Sequence, residues 1–176
     1  MHQMNKKNIE NYIFSLKNSN GGFYLQKNFN QTTLMSSAFS IITLELVNSL
    51  DKIEISKEQN YFLKYQDEKT GFFVDPNLKL DYKKIEDIEL NYIHYQTSAF
   101  SVSALDALGM KPKYDFTFLN AFRGKEKISK FFEKIDWRNP WHESNKIMFL
   151  LQFFSYEYIV MKKENSLDDI HTILDC

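Results

Sequence analysis

A chain of 176 residues is long enough to bury one hydrophobic core without disulfides or metal ions. Lysine and arginine total 22 against 23 acidic residues, which excludes the basic excess of a dedicated nucleic-acid surface. The single cysteine, Cys176, excludes an internal disulfide framework, and the N-terminal letters lack the apolar run of a secretory signal. The most apolar stretch, 147–154, is too short to span a bilayer. We therefore expect a cytoplasmic helical domain with no membrane span and no nucleic-acid partner.

The first predicted helical hairpin, at 4–50, joins an amphipathic outer helix to a buried inner helix. Apolar residues recur at the helical spacing that predicts an outer helix over 4–18, namely Ile9, Tyr12, Ile13 and Leu16. The sequence GGF follows this helix. Glycine can end a helix at little energetic cost. The Phe23 side chain is expected to fold back onto the helix as a buried plug. The inner helix, at 33–50, contains SAFSIITLELV and is apolar nearly all round, which is typical of a helix buried on every side.

The second predicted hairpin, at 56–110, repeats this pattern with helices at 56–66 and 95–108. Its turn reads TGFF, with Phe72 as the expected plug, and its inner helix begins SAFSVSALDAL. The tetrapeptide SAFS thus occurs twice with matching flanks, which indicates an internal duplication. Phe39 and Phe100 are expected to occupy equivalent buried positions. A long excursion, 73–96, precedes the second inner helix and includes a predicted short helix at 82–90.

The third predicted hairpin, at 120–162, is more diverged, with helices at 125–136 and 143–162. Phe131, Phe132 and Ile135 repeat the apolar face of the first outer helix, and Trp141 takes the place of the plug aromatic. The tail, 166–176, reads as the opening of a further outer helix, since Ser166 suits an N-cap and acidic residues follow it.

The repeated pattern consists of a helix, a GGF or TGFF turn, a loop, and a buried helix rich in serine and alanine. It resembles the repeat of the α/α-toroid superfamily. Its members include terpenoid (squalene-type) cyclases, protein prenyltransferase β subunits and several polysaccharide lyases. The likeness covers 8–47, 60–108 and, more weakly, 127–159. It implies an all-α fold of inner buried and outer amphipathic helices around a central cavity. Toroids usually close with five to seven hairpins, so this chain is expected to be a partial toroid, a fragment of a longer one, or an open array covered by a partner chain or a second copy.

The chain departs from the catalytic patterns of these families. The Asp-rich DxDD motif of the cyclases is absent. The prenyltransferase zinc site includes a cysteine ligand, and the one cysteine of this chain is its last residue. Glycine-rich phosphate loops, CxxC, HExxH and GxSxG are also absent. We therefore expect no metal and no cofactor, and among toroid substrates a glycan is favoured over an isoprenoid.

The densest polar and aromatic cluster is DWRNPWHESN, at 136–145. Its side chains suggest a site in which Trp137 and Trp141 stack on a substrate, Arg138 binds an anion, and His142 and Glu143 exchange protons. The alternative is structural. In that interpretation Trp141 is a plug, Asp136 pairs with Arg138 on the surface, and Glu143 or Ser144 caps a helix.

A second candidate segment, NYIHYQTSAFS, lies ahead of the second inner helix. Toroid-type lyases pair tyrosine with histidine as base and acid, so the resemblance makes His94 and Tyr95 catalytic candidates and Gln96 a substrate-binding one. The alternative is that His94 lies at the rim of the cavity and has no catalytic role. Three polar residues of the inner helices either line a cavity or face solvent: Glu45, Asp106 and Gln152.

Two functions follow. The first is a toroid-type enzyme-like domain that acts on or binds a glycan or isoprenoid-type substrate in a central cavity. The second is a non-catalytic helical-repeat module for protein–protein interaction or self-association. Whether His94, His142 and Glu143 converge discriminates between them.

Overall fold

The computed structural model describes residues 6–77, 88 and 91–176 of the chain. Over these residues the secondary structure is helical, and pairing between extended segments is confined to isolated bridges. The expected all-α class is therefore confirmed for the described residues. The helices are α1 (Lys6–Phe14), α2 (Leu34–Leu46), α3 (Ile55–Leu63), α4 (Tyr92–Ala107), α5 (Lys125–Glu133), α6 (Pro140–Ile159) and α7 (Asn165–Leu174), with 3₁₀ turns at Leu50–Lys52 and Thr117–Ala121. The short helix expected at 82–90 lies, apart from residue 88, outside the described residues.

The chain divides into two compact units. The first unit comprises Met1–Lys79 and Phe100–Asp115, and the second comprises Leu80–Ala99 and Phe116–Cys176. Helix α4 belongs to both, since its first half lies in the second unit and its second half in the first.

Two helices begin earlier than the sequence predicts. Helix α6 begins at Pro140 and α4 at Tyr92, each three residues before its predicted start. Proline suits the first helical position because its φ is already helical and its missing N–H leaves no bond unmade. His94 and Trp141 consequently lie within helices rather than in the turns that precede them.

In the first unit, the turns after α1 and α3 make corresponding backbone contacts. Lys17 forms an isolated antiparallel bridge with Phe23, and Gln66 forms one with Phe73. The structural counterpart of Phe23 is therefore Phe73, and the predicted match to Phe72 is wrong, because the second turn is one residue longer. Phe23, Phe72 and Phe73 are all fully buried, so an aromatic does fill each turn.

The second helix of each hairpin ends at a residue with positive φ. Asn48 (φ 50°), Gly109 (φ 70°) and Lys162 (φ 60°) follow α2, α4 and α6 respectively. The amide of Asn48 donates to the carbonyl of Glu45 (2.8 Å), and that of Gly109 donates to the carbonyl of Asp106 (2.9 Å). A left-handed residue at this point is the usual helix stop. Helices α2, α4 and α6 therefore end in the same way.

Aligned polar residues of α1 and α3 fasten the ends of α2 and α4. The carboxylate of Glu10 accepts a hydrogen bond from the Ser49 hydroxyl and pairs with Lys52 at 2.9 Å. The Gln59 side-chain amide donates to the Leu108 carbonyl at 2.7 Å. Each hairpin of the first unit is thus closed by a side chain from its first helix, at equivalent positions.

The first turn packs against α3. The Gly22 amide donates a 2.8 Å hydrogen bond to the fully buried carboxylate of Glu58. A Cβ at Gly22 would lie only 2.5 Å from the Tyr61 ring, so only glycine allows this approach. At the start of α2, the Ser37 hydroxyl, which is the first serine of SAFS, accepts a 2.9 Å hydrogen bond from the Phe23 amide.

The second unit has an aromatic core of edge-on contacts. Phe118 packs against Phe153 at 5.0 Å and against Tyr95 at 5.3 Å between ring centroids, and all three are fully buried. The C-terminal helix α7 packs mainly on α6, and the predicted further helix in the tail is confirmed.

A buried charge network fixes α7 in the second unit. Glu157 is fully buried and accepts from Arg123 (2.5 Å), Ser166 (2.8 Å) and Lys163 (3.1 Å). Asp169 of α7 accepts from the backbone amide at the start of α5. Because a buried carboxylate is costly unless it is paired, these contacts hold α5, α6 and α7 together.

Two of the expected buried aromatics are exposed. Trp141 is 82% exposed, so its expected burial as the third plug is wrong. It lies in the first turn of α6, where the early helix start directs it away from the core. Phe39 is 48% exposed and Phe100 is half-buried, so their expected core burial is also wrong. The two rings contact each other, with 4.7 Å between their centroids.

Candidate functional site

The cluster DWRNPWHESN lies in the second unit, at the turn into α6. Its two tryptophans point to solvent, with Trp137 60% exposed and Trp141 82% exposed. Pro140 begins the helix, so Trp141, His142 and Glu143 occupy its first turn. The turn itself is held by Asp136, whose carboxylate accepts from the backbone amide two residues on. The side-chain oxygen of Asn18 accepts from the amide two residues on after α1, and that of Asp67 from the amide three residues on after α3.

Arg138 is engaged by Asp136 rather than by the other predicted site residues. Its guanidinium makes two hydrogen bonds to that carboxylate, at 2.7 and 2.8 Å, and the Arg138 side chain is 91% exposed. The hydrogen bonds from Arg138 lower the pKa of Asp136. This is the surface pair of the structural alternative.

His142 lies beside two groups. Its ring stacks on Tyr92 with 5.1 Å between centroids and 25° between planes. Its Nδ1 lies 3.4 Å from Oε1 of Glu143, which is long for a hydrogen bond. One-third of the His142 side chain is exposed, so the imidazole is accessible from solvent.

Glu143 is paired more closely with Lys146, one helical turn later. Lys146 Nζ lies 2.8 Å from Glu143 Oε1, and both residues are buried. Burial alone would raise the pKa of Glu143, but hydrogen bonds from Lys146 and His142 hold it below its usual value. The carboxylate is therefore ionised at neutral pH and occupied by a cation, which suits a structural role better than proton transfer.

The predicted site residues of α4 lie in the interior of the second unit. Tyr95 is fully buried and packs edge-on against Phe118 and Phe122. His94 is 1% exposed, and burial lowers its pKa, so its neutral form is favoured. Gln96 is half-buried.

The structure thus joins His142 and Glu143, and it adds one residue that the sequence analysis missed, Lys146. Lys146 stands three residues after Glu143, which is the spacing of an ion pair on one helix face, and that signal could have been noticed. Tyr92 belongs to the segment expected at the cavity rim with His94, but nothing in the sequence pairs it with His142, which lies on another helix.

The polar residues left open by the sequence do not share one environment. Glu45 and Asp106 are exposed, so they face solvent. Gln152 is half-buried, and its side-chain amide donates to the Ala99 carbonyl at 3.1 Å.

A second candidate surface lies in the first unit, between α1 and α2, where the sequence analysis predicted none. It is a groove of about 470 Å³ whose lining is almost wholly apolar. Among the described residues no charged side chain lines it. We call this surface the hairpin-1 groove; it is lined by Asn8, Ile9, Tyr12, Ile13, Leu16, Tyr24, Leu25, Ser36, Phe39, Ser40 and Thr43. Leu25, Tyr12 and Phe39 are 60%, 52% and 48% exposed, so these apolar side chains meet water.

Neither metal ligation nor membrane crossing is indicated over residues 6–77, 88 and 91–176. That part of the chain holds no grouping of three or more His, Cys, Asp or Glu side chains suited to a metal ion. It also lacks any helix with the length and apolarity that crossing a bilayer requires.

Comparisons with protein-family models, with curated proteins and with solved structures found no match to this chain.

Proposed function

We propose that this chain is a non-catalytic helical-hairpin module that binds a protein partner through the hairpin-1 groove. The observation that carries the proposal is the exposure of Tyr12, Leu25 and Phe39 around one continuous apolar depression. Contiguous exposed apolar surface of this kind marks interaction sites in soluble proteins, because leaving it in water forfeits the free energy of burial.

The shape of the groove fits an apolar protein segment. Two helices form its sides, and amphipathic helices and aromatic anchors commonly dock in such grooves. The described lining of the groove offers no cation to a phosphate or a carboxylate. An apolar side chain of a partner would displace water without leaving a buried charge unpaired.

The cluster at the start of α6 gives weaker support to catalysis. Glu143 is paired with Lys146 at 2.8 Å, and Tyr95 is enclosed by phenylalanine rings. A general base needs a side chain that reaches the substrate. Of the four proposed catalytic residues, His142 is the one with substantial exposure.

A photo-crosslinking amino acid at position 12 tests the proposal, with the same amino acid at Leu174 as the matched control. Leu174 is 66% exposed and does not line the groove. A protein crosslinked from position 12 but not from position 174 should bind the purified chain, and Phe39→Glu should weaken that binding at least tenfold. Equal crosslinking from both positions, or an affinity that Phe39→Glu leaves unchanged, contradicts the proposal.

A second candidate function is favoured by one observation, the accessible His142 ring stacked on Tyr92 beside two exposed tryptophans. In this function the chain is a partial α/α toroid that acts on or binds a glycan or isoprenoid-type substrate. His142→Ala should then abolish turnover or ligand binding while helicity and melting temperature stay unchanged. Loss of the fold in that variant would assign His142 a structural role and remove this candidate.

A further inference from the structure

We infer that the partner is a second copy of this chain, and that Trp137 and Trp141 of one copy enter the hairpin-1 groove of the next. This inference rests on the function proposed for the groove and names its occupant. Three features of the chain support it: an interface within the first unit, a second exposed apolar patch, and the charge of both surfaces.

The interface within the first unit supplies the template. Tyr61 of α3 is buried because the turn of the preceding hairpin, at Gly21 and Gly22, packs on it. The matching bridges Lys17–Phe23 and Gln66–Phe73 set the two hairpins in register.

In that register Tyr12 of α1 is the counterpart of Tyr61. It has the same residue type and the same place on the first helix of its hairpin, yet 52% of Tyr12 is exposed against 8% of Tyr61. The face that accepts a hairpin turn at α3 is therefore presented again at α1, and there it borders the hairpin-1 groove. We infer that a hairpin turn occupies it.

Among the described connections between helices, the junction of α5 and α6 exposes the largest aromatic side chains. Trp137 in the turn and Trp141 in the first turn of α6 are 60% and 82% exposed, against 40% for Phe29 between α1 and α2. Tryptophan is enriched at the centres of protein interfaces because it buries a large apolar area at low entropic cost. Since this turn lacks the glycines of the first, its side chains rather than its backbone would fill the groove.

The charges do not oppose this contact. The described lining of the groove is uncharged, and Arg138, between the two tryptophans, is neutralised by Asp136. The formal net charge of the chain is -1, so copies repel one another little.

Because the two surfaces differ, the contact is heterologous. Each copy would use its groove toward one neighbour and its tryptophan turn toward the other, which gives a ring or an open array. The two surfaces can therefore be disabled one at a time. A mixture of the two disabled chains should form dimers and no larger assembly, because each pair retains one intact groove and one intact tryptophan turn.

The test is sedimentation velocity of the full chain and three variants across the micromolar range. Tyr12→Glu disables the groove, and the double variant Trp137→Ser with Trp141→Ser disables the turn. Leu174→Asp is the control, since it removes an exposed apolar side chain outside both surfaces. All altered side chains are more than half exposed, so each variant should fold, and circular dichroism checks its helicity.

The wild-type chain and Leu174→Asp should exceed the 21.0 kDa monomer mass increasingly with concentration. Each disabled variant should stay monomeric, and an equimolar mixture of the two should reach about twice the monomer mass and no more. A monomeric wild type, or a disabled variant that still assembles, overturns the inference. If position 12 then crosslinks to a different protein, the proposed function stands while the second copy is excluded as partner.

Discussion

The backbone amide of Gly22 donates a 2.8 Å hydrogen bond to the carboxylate of Glu58, a residue with no exposed surface. Lys17 Nζ lies 3.8 Å from the other carboxylate oxygen. A single turn of the first hairpin thus supplies both the donor and the cation for an acid buried in the second. The junction depends on glycine, because the Tyr61 ring leaves no space for a side chain at position 22.

Gly22→Ala should destabilise the fold more than Gly109→Ala, although both glycines have similar positive φ (76° and 70°). Alanine in the left-handed region costs about 1–2 kcal/mol at either position. At position 22 the new Cβ also meets the Tyr61 ring at 2.5 Å, whereas at position 109 nothing lies within 4 Å. Urea unfolding should give a loss above about 2 kcal/mol for Gly22→Ala. Equal losses in the two variants would mean that the turn does not pack on Tyr61.

The free energy of unfolding should respond to pH in opposite senses at Glu58 and Glu10. Burial raises the pKa of Glu58, against which the Gly22 amide and Lys17 act only in part. The contribution of Glu58 to the free energy of unfolding is therefore fully present below the unfolded pKa, about 4.3. It is lost as the pH rises through the folded pKa. The stability of Glu58→Gln relative to wild type should consequently rise as the pH increases above about 4.3.

At Glu10 the hydrogen bonds from Ser49 and Lys52 lower the pKa. Its stabilisation is present above the unfolded pKa and is lost as pH falls through the folded pKa. Glu10→Gln should therefore be less stable than wild type at neutral pH, with a deficit that shrinks on acidification. Parallel pH profiles for the two variants would contradict the assigned environments.

Arg123→Ala should be strongly destabilising, and Arg138→Ala nearly neutral. Arg123 contacts Glu157, which is fully buried, so its removal leaves that carboxylate with fewer partners and should cost about 2–4 kcal/mol. Arg138 pairs with Asp136 in solvent, where such pairs contribute little to stability. Thermal and urea unfolding of both variants measure the difference. Similar losses would show that the buried network does not hold α7.

Lys162→Gly should stabilise the protein by about 0.5–1 kcal/mol, because Lys162 has φ 60° where glycine adopts this conformation without strain. Lys134→Gly is the matched control. Lys134 follows α5 in an ordinary right-handed conformation (φ -89°), so glycine there adds only unfolded-state entropy and should destabilise. If Lys134→Gly is stabilised as much as Lys162→Gly, the gain at position 162 does not come from its left-handed conformation.

The sequence predicts the helices well where local rules govern them. The spacing of Ile13 and Leu16 and the glycines after them locate α1 and its turn, and α5 begins at its predicted first residue, although α1 ends four residues and α5 three residues before their predicted ends. Local rules missed the start of α6, where Pro140 begins the helix rather than preceding it. That shift exposed Trp141, which a repeat alignment alone assigns to the core.

The candidate surfaces were less predictable because they depend on packing between distant segments. Tyr12 and Tyr61 carry the same sequence signal, and their different exposure arises from what lies against each of them. The contact of Tyr92 with His142 likewise depends on how α4 and α6 rotate against each other. Periodicity predicts which residues share a helix face but not which neighbour covers that face.

Amide hydrogen exchange of the chain, alone and saturated with the protein crosslinked from position 12, tests most directly whether the hairpin-1 groove is the binding surface. If that protein is a second copy, concentrated and dilute samples provide the comparison. The account predicts slower exchange across α1 and the first half of α2, where the groove lies, with α3 unchanged as the internal control. Unchanged exchange in α1 and α2 on saturation would contradict it.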